Sequence, residues 1–362
     1  MNALRSKRSS VGRHWTELET PALLLDIDLA RRNVMYMAAR AAEMPVAVRP
    51  HFKAHKCLEI ARLQVEAGGI GLTVATLSEA EALLEAGLDN VLVANQLVQP
   101  SQLERLAELS QGARITVLID HPTNLEAISN AARARSGEVG VMVDVDTGMG
   151  RCGVRNREHA RELAVLADRL PAVRFDGVSA YEGHCTPIAD PGERTVCSRA
   201  ATESMSAFVN AIREAGIEVG AVSAGGSTTY AMTGADPRVT EIQPGAYALM
   251  DVVRRDYLSE FEFALTVAGS VISRHGSRVV LDCGHKAVNS RLSSPQLADG
   301  FGEIVSVDEE HLRFDATGRD PRVGDRVRIV PGFGPLTINL YEKFHVVSED
   351  VVVDEWCVVA RR

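Results

Sequence analysis

The feature that most constrains the fold is a regular alternation of apolar and amphipathic segments, which continues to about residue 245. Eight apolar runs rich in β-branched residues are predicted as strands, because continuous apolar runs fit a parallel sheet covered on both faces. These runs are Val46–Pro50, Ile70–Ala75, Val91–Asn95, Ile115–Asp120, Val139–Val145, Phe175–Ala180, Val219–Ala224 and Val239–Gln243. Helical patterns separate them, and eight such units predict an α/β fold of the (β/α)8 barrel type. A doubly wound open sheet also alternates, but no Gly-x-Gly-x-x-Gly follows the first strand.

A second domain is indicated by a change of pattern after about residue 260. Six further strands joined by turns are predicted there: Phe263–Ser273, Arg278–Cys283, Glu303–Val307, His311–Phe314, Arg326–Val330 and Ile338–Val347. An extra strand, Ala22–Ile27, precedes the barrel with its helix. We therefore predict a barrel domain over residues 20–258 and an all-β domain formed by residues 1–19 and 259–362.

Composition and charge exclude several classes of function. The net charge of −9 argues against a nucleic-acid or anionic-membrane partner, because both need a basic surface. The basic residues near the start, Arg5, Lys7, Arg8 and Arg13, are expected to form a solvated tail. No apolar run approaches the roughly 18 residues that span a bilayer, and none resembles a secretory signal. The six cysteines form no Cys-x-x-Cys pair, which predicts a reduced, cytoplasmic protein without a disulfide framework.

Chemistry is expected at the carboxyl ends of the barrel strands, where such barrels place their active sites. Lys53 follows the first barrel strand near Arg49 and two histidines, and neighbouring cations make a lysine amine a better nucleophile for a Schiff base. Two small-residue turns, Ser223–Thr228 and Gln243–Tyr247, follow the seventh and eighth strands. Barrels commonly bind phosphate there through backbone N–H groups and a helix N-terminus. A phosphate site opposite a reactive lysine predicts pyridoxal 5′-phosphate (PLP) as the cofactor.

Motifs spread through nearly the whole chain carry a family resemblance. They are Thr20-Pro-Ala-Leu-Leu-Leu-Asp26, Arg49-Pro-His-Phe-Lys-Ala-His-Lys56, Asp146-Thr-Gly-Met-Gly-Arg-Cys-Gly-Val154, Tyr181-Glu-Gly-His184, Ser223-Ala-Gly-Gly-Ser227, Gln243-Pro-Gly-Ala-Tyr247 and Leu281-Asp-Cys-Gly-His-Lys286. With these motifs the sequence resembles the fold-type III PLP enzymes of the D-threonine aldolase and D-serine dehydratase group, which are related to alanine racemase. The resemblance implies a PLP-binding barrel, a β-domain and a head-to-tail homodimer in which the partner's β-domain completes the active site.

The resemblance also implies roles for individual residues. Lys53 would hold the cofactor through a Schiff base, and Arg151 would contact the phenolic oxygen of PLP or its surroundings. Tyr181 and His184 would line the cofactor, and His184 suits a general base because its ordinary pKa lies near neutrality. The residues expected to hold the cofactor around its phosphate are Gly226, Ser227, Gly245, Ala246 and Tyr247.

One stretch departs from the family pattern. Metal-dependent members carry a His and, two residues later, a Cys or Asp near the C-terminus, where this chain has Phe333 and Pro335. Neither side chain offers an N, O or S ligand, so no metal site is predicted. Arg291 stands where many members have an acidic residue. We expect Arg291, with Lys286, to bind an anionic group of the substrate, because the planar guanidinium pairs well with carboxylates.

The reaction remains open among related possibilities. The first is retro-aldol cleavage of a D-β-hydroxy-α-amino acid without a metal. A dehydratase that releases ammonia and a 2-oxo acid is the alternative within the same group. A racemase or epimerase would need a base on each face of the α-carbon, for which Tyr181 and Lys53 are candidates. A PLP-binding protein that has lost turnover is the fourth possibility.

Overall fold

The computed structural model describes residues 9–361, so the basic residues Arg5, Lys7 and Arg8 lie outside the described part. The chain forms two compact units. One, here the β unit, contains the N-terminal residues up to Asn33, the short segment His55–Cys57 and the chain from Ala246 onwards. The other, here the barrel unit, contains Val34–Ala54 and Leu58–Gly245. Within the described residues, no helix is both long and apolar enough to cross a membrane.

The first elements of the chain are strand β1 (Ala22–Asp26) and helix α1 (Ile27–Ala42). β1 pairs with strands of the β unit. The boundaries between the two units therefore differ from the predicted boundaries at residues 20 and 258. Those predicted limits placed β1 with the barrel.

The barrel unit contains eight parallel strands in the order β2-β9-β8-β7-β6-β5-β4-β3. Their bounds are β2 (Ala47–Val48), β3 (Leu72–Val74), β4 (Val91–Val93), β5 (Ile115–Ile119), β6 (Val139–Val145), β7 (Val173–Ala180), β8 (Ala221–Ala224) and β9 (Glu241–Ile242). The N–H groups of Ile70 and Thr73 donate to the carbonyls of Val48 and Pro50, at 2.9 and 2.8 Å, which joins the two end strands. The predicted barrel is thereby confirmed.

Helices follow the barrel strands in turn. They are α2 (Leu58–Glu66), α3 (Leu77–Glu85), α4 (Pro100–Leu109), α5 (Pro122–Ala134), α6 (Arg157–Arg169), α7 (Pro191–Glu214) and α8 (Tyr230–Gly234). Side-chain caps fix several starts: the Thr76 hydroxyl accepts from Glu79 N–H at 3.2 Å, and the Asn156 amide oxygen accepts from Glu158 N–H at 2.8 Å. All seven residues of β6 are buried, as expected for a strand covered on both faces.

The β unit is built on a nine-stranded sheet in which β1 lies between an antiparallel and a parallel neighbour, β10 and β16. Its other strands are β10 (Leu265–His275), β11 (Arg278–Leu281), β12 (Gln296–Leu297), β13 (Gly302–Val307), β14 (Leu312–Ala316), β15 (Arg326–Val330), β16 (Lys343–Ser348) and β17 (Val351–Cys357). The predicted all-β domain is confirmed as mostly β, but the prediction missed β12 and β17 and placed the start of its last strand too early. Ile338, predicted as the first residue of a strand, is instead the last residue of a short helix, α9 (Gly334–Ile338), which Pro335 helps to start.

Candidate active site

Three of the predicted cofactor residues meet at the carboxyl ends of the barrel strands. Lys53 is exposed on a short turn after β2, Tyr181 follows β7 directly, and Arg151 lies on the loop after β6. The Lys53 Nζ atom is 6.0 Å from the centre of the Tyr181 ring, and the Arg151 Cζ atom is 5.8 Å from the same centre. Two cations therefore flank one aromatic ring, whose electron-rich face attracts positive charge.

The two small-residue turns lie side by side. The Gly245 N–H donates to the Ser227 hydroxyl at 3.0 Å, which ties the turn after β9 to the turn after β8. A Cβ atom on Gly245 would lie 2.4 Å from the His51 carbonyl oxygen, so only glycine fits. A Cβ on Gly226 would lie 3.2 Å from the Tyr181 ring. The groups that these turns present beside Tyr181 are therefore backbone N–H groups and the Ser227 hydroxyl. The helix that follows the turn after β8, α8, has only five residues.

Glu182, which sequence reasoning missed, organises the turn after β8. Its buried carboxylate accepts from Gly225 N–H at 3.1 Å and from the hydroxyls of Thr229 and Thr233 at 2.7 and 2.5 Å. The Thr229 hydroxyl in turn accepts from Gly226 N–H at 3.2 Å. One carboxylate therefore fixes the backbone of the predicted phosphate loop. A glutamate inside a motif already assigned to the site was the available signal.

His184 lies against the loop that follows β6. Its Nε2 atom is 2.8 Å from the position that a Cβ on Gly148 would take, and the φ of +130° at Gly148 also favours glycine. Its Nδ1 atom is buried and has no hydrogen-bond partner within the described residues. The imidazole is held by packing and keeps one ring nitrogen available for a proton or ligand.

The expectation that all cysteines are reduced is wrong for one pair. Cys185, next to His184, forms a disulfide with Cys197 in α7, whereas Cys57, Cys152, Cys283 and Cys357 are free. No Cys-x-x-Cys spacing signals this pair, because its members are 12 positions apart in the sequence and the turn into α7 brings them together.

Asp144, the sixth residue of β6, is a second buried carboxyl at this end of the barrel. Its Oδ2 atom accepts from the Gln96 amide at 2.9 Å. The pKa of Asp144 is raised to about 6, mainly by burial and in part by the nearby Asp120, while the Gln96 hydrogen bond and Arg151 oppose the shift. A carboxyl with this pKa changes charge close to physiological pH.

Arg49 is directed away from Lys53, contrary to the expectation that it raises the positive charge there. Its guanidinium binds both oxygens of Glu241, the first residue of β9, at 3.0 Å each. It also donates to the carbonyl of Asn90, the residue before β4, at 2.9 Å. These partners lie at the amino ends of their strands. There, Arg49, Asn90 and Glu241 line a cavity of about 320 Å³.

The remaining predicted residues belong to the β unit. Ala246 and Tyr247 follow Gly245 directly, and the Tyr247 ring is buried against Phe261 at 5.7 Å between ring centres. The Lys286 ammonium contacts Glu309 at 2.9 Å and Glu310 at 2.7 Å, which raises its pKa. Arg291 is exposed, and its N–H donates to the Asn289 side chain at 3.1 Å. The substrate-binding roles of Lys286 and Arg291 stay predictions.

The stretch that lacks metal ligands is packed around an ion pair. Phe333 precedes α9, and the Arg254 Cζ atom lies 5.0 Å from the centre of its ring. Arg254 also pairs with Asp251, whose Oδ2 atom accepts from Gly334 N–H at 2.9 Å. An aromatic ring and a guanidinium therefore occupy this part of the β unit.

Two family models match successive parts of the chain. The family model for the alanine racemase N-terminal domain matches residues 25–252, and the model for a putative serine dehydratase domain matches residues 264–347.

Individual relatives match over almost the full length. A D-threonine aldolase from Arthrobacter sp. is 34% identical, over 95% of this chain and 93% of its own. A 3-hydroxy-D-aspartate aldolase from Paracoccus denitrificans is 33% identical, over 96% of this chain and 93% of its own. The crystal structure of a D-threonine aldolase from Filomicrobium marinum superposes with a TM-score of 0.94 at 32% identity and covers 98% of both chains.

Proposed function

Because the chain belongs to the alanine racemase-like family of PLP-dependent D-threonine aldolases and D-serine dehydratases, we propose that it cleaves D-β-hydroxy-α-amino acids by a retro-aldol reaction. The observation that carries this choice is that two aldolases match it at 34% and 33% identity over at least 95% of the chain. The proposed products are an amino acid and an aldehyde.

The residues at the carboxyl ends of the barrel strands fit PLP. An exposed lysine amine, an aromatic ring and a guanidinium lie together at Lys53, Tyr181 and Arg151. The side-chain-free turns at Gly226 and Gly245 leave backbone and hydroxyl groups beside them, which suit a phosphate. When bound, PLP supplies an electron sink for the bond broken at the α-carbon of the substrate.

The protein groups would then have separate tasks. Lys53 would anchor the cofactor covalently, and Arg151 would hold negative charge beside Tyr181. His184 would take the proton of the β-hydroxyl as the bond between the α- and β-carbons breaks and the aldehyde leaves. Packing of the His184 ring against Gly148 limits its rotation.

We further propose that this reaction does not depend on a metal at the family's C-terminal position. A metal at that place would polarise the β-hydroxyl as a Lewis acid. Phe333 and Pro335 offer no ligand atoms, and Arg254 already places a positive charge against the Phe333 ring. Arg291 would favour substrates with a second anionic group, such as a β-carboxylate.

Product analysis tests both parts of the proposal. The PLP-loaded enzyme is incubated with D-threonine and, separately, with D-3-hydroxyaspartate, each with and without a strong chelator. Glycine with acetaldehyde or glyoxylate, formed equally with the chelator, is expected. A 2-oxo acid with ammonia would instead identify a dehydratase, and L-allo-threonine would identify a racemase. Loss of glycine formation in chelator would overturn the metal-independent mechanism while leaving the aldolase assignment intact.

Arg291→Ala tests the substrate preference. The expected result is a weaker apparent affinity for D-3-hydroxyaspartate, with the affinity for D-threonine changed little, because only the first substrate carries the extra carboxylate. Equal values of KM for wild type and variant on D-3-hydroxyaspartate would contradict a role for Arg291.

A further inference from the structure

Three potential metal ligands lie together at the edge of the candidate active site. One ring nitrogen of His184 and the sulfur atoms of Cys185 and Cys197 all lie within 4.8 Å of one another. Within residues 9–361, this is the one group of three or more His, Cys, Asp or Glu side chains placed closely enough to hold a metal ion. It lies in the barrel unit, whereas the Phe333 stretch belongs to the β unit.

The ligand atoms have the right chemistry for a soft or borderline divalent cation. Two thiolates and one imidazole form a ligand set found around zinc, in which a fourth position remains open to water. Ligand atoms around a tetrahedral zinc lie roughly 3.5–3.8 Å apart, given bond lengths of about 2.0–2.3 Å. In the disulfide the two sulfur atoms are bonded to each other and all three ligand atoms lie within 4.8 Å of one another, so after reduction the sulfurs must move apart to reach these distances.

The surroundings of the cluster favour a built site. Cys185 is fully buried, and His184 is packed against Gly148, so both ligands are held in place before a metal arrives. The buried Nδ1 atom of His184 has no hydrogen-bond partner within the described residues. Cys197 is partly exposed, which gives a cation and a reductant access to the pair.

We propose that His184, Cys185 and Cys197 form a zinc-type cation site once their disulfide is reduced. A phosphine or dithiol reductant breaks the bond between the two sulfurs by giving up two electrons, and each sulfur takes up one proton. On binding, the two thiols release these protons, and the neutral imidazole donates its lone pair to the cation. The protein therefore changes between a disulfide form without this site and a dithiol form that binds the cation.

Cation binding would engage the same side chain that we assign to proton transfer. If the bound nitrogen of His184 is the one that takes the β-hydroxyl proton, zinc inhibits the reduced enzyme and leaves the oxidised enzyme active. This consequence rests on the proposed function, whereas the binding site itself does not.

Cobalt(II) titration of the PLP-loaded protein tests the site without using activity. The protein is reduced with a phosphine, desalted without oxygen and titrated with Co²⁺, and bound PLP is subtracted from the spectrum. Free thiols are counted under denaturing conditions, and a rise from four before reduction to six after it shows that the Cys185–Cys197 disulfide has opened. A thiolate-to-cobalt absorption band that saturates at one equivalent is expected in the reduced protein and not in the oxidised one.

Variants separate this site from other thiols. C185S and C197S should each lose the band, and H184Q should shift it and weaken binding about tenfold or more. The matched control is C152S, because Cys152 is an exposed free cysteine outside the group, and its band should equal that of wild type. A reduced protein with six free thiols and no band, or a band that survives in C185S and C197S, would overturn the proposal.

Discussion

The two ends of the barrel use buried carboxyl groups in opposite ways. At the amino end, Glu241 receives two hydrogen bonds from Arg49, and the exposed fractions of the two side chains are 4% and 12%. At the carboxyl end, Asp144 accepts from a neutral amide, and Glu182 accepts from a backbone N–H and two hydroxyls. Carboxyl groups paired with guanidinium stabilise the closed barrel, whereas those held by neutral donors shape a site for another molecule.

The largest expected effect follows from changing Lys53 at the carboxyl end. Lys53→Ala should lose roughly 10⁴-fold or more of the activity, because the covalent anchor of the cofactor is removed. Borohydride reduction followed by peptide mapping should find no PLP on the chain. The control is Lys56→Ala, because the Lys56 ammonium donates to the Ala360 carbonyl, a structural contact, and is not assigned to the cofactor. A reducible adduct that persists in Lys53→Ala would move the assignment to another lysine.

Glu241→Ala should give the largest loss of stability at the amino end. It leaves the largely buried Arg49 guanidinium without its counter-charge, which costs about 3–5 kcal/mol of the free energy of unfolding. Urea denaturation measures this cost. Glu81→Ala is the matched control, because Glu81 pairs with Arg105 on a more exposed surface and should cost under about 1 kcal/mol. Equal costs for the two variants would remove the distinction between the two ends of the barrel.

Asp144→Asn should increase the free energy of unfolding near neutral pH, whereas Glu241→Ala decreases it. The pKa of Asp144 is raised to about 6 by burial, so the folded protein binds its proton more tightly than the unfolded chain does. Its ionised form is therefore destabilising above pH 6, by at most about 3 kcal/mol, and this penalty fades as the pH falls towards 4. After removal of PLP, the variant should be more stable than wild type at pH 7.5 and nearly equal to it at pH 4.5. Greater stability of wild type at pH 7.5 would show that the Arg151 charge outweighs burial.

The sequence was sufficient for the architecture and for the position of Lys53. Apolar runs identify the barrel strands, and β6 begins and ends as predicted, because every one of its residues is buried. Side-chain direction was harder to predict: Arg49 is close to Lys53 in sequence, yet its guanidinium is directed to the amino end. The Cys185–Cys197 pair required the tertiary path into α7, which no local spacing reveals.

Glu182→Gln should have the smallest effect, a loss of PLP affinity of about tenfold, or 1.4 kcal/mol. In the variant, the amide oxygen can still accept from Gly225 N–H, but the amide N–H₂ faces the Thr229 hydroxyl. The hydroxyl must rotate to accept from this amide, and the rotation weakens the hydrogen bond that it accepts from Gly226 N–H. Glu182→Ala, which removes every contact of this side chain, should lose more PLP affinity than Glu182→Gln. Thr229→Val should lose about as much PLP affinity as Glu182→Gln. Absorbance titration with PLP measures all three. Tighter binding by Glu182→Gln would mean that the negative charge of Glu182 repels the phosphate more than its hydrogen bonds organise the loop. The carboxyl end would then resemble the amino end, with charge more important than loop geometry.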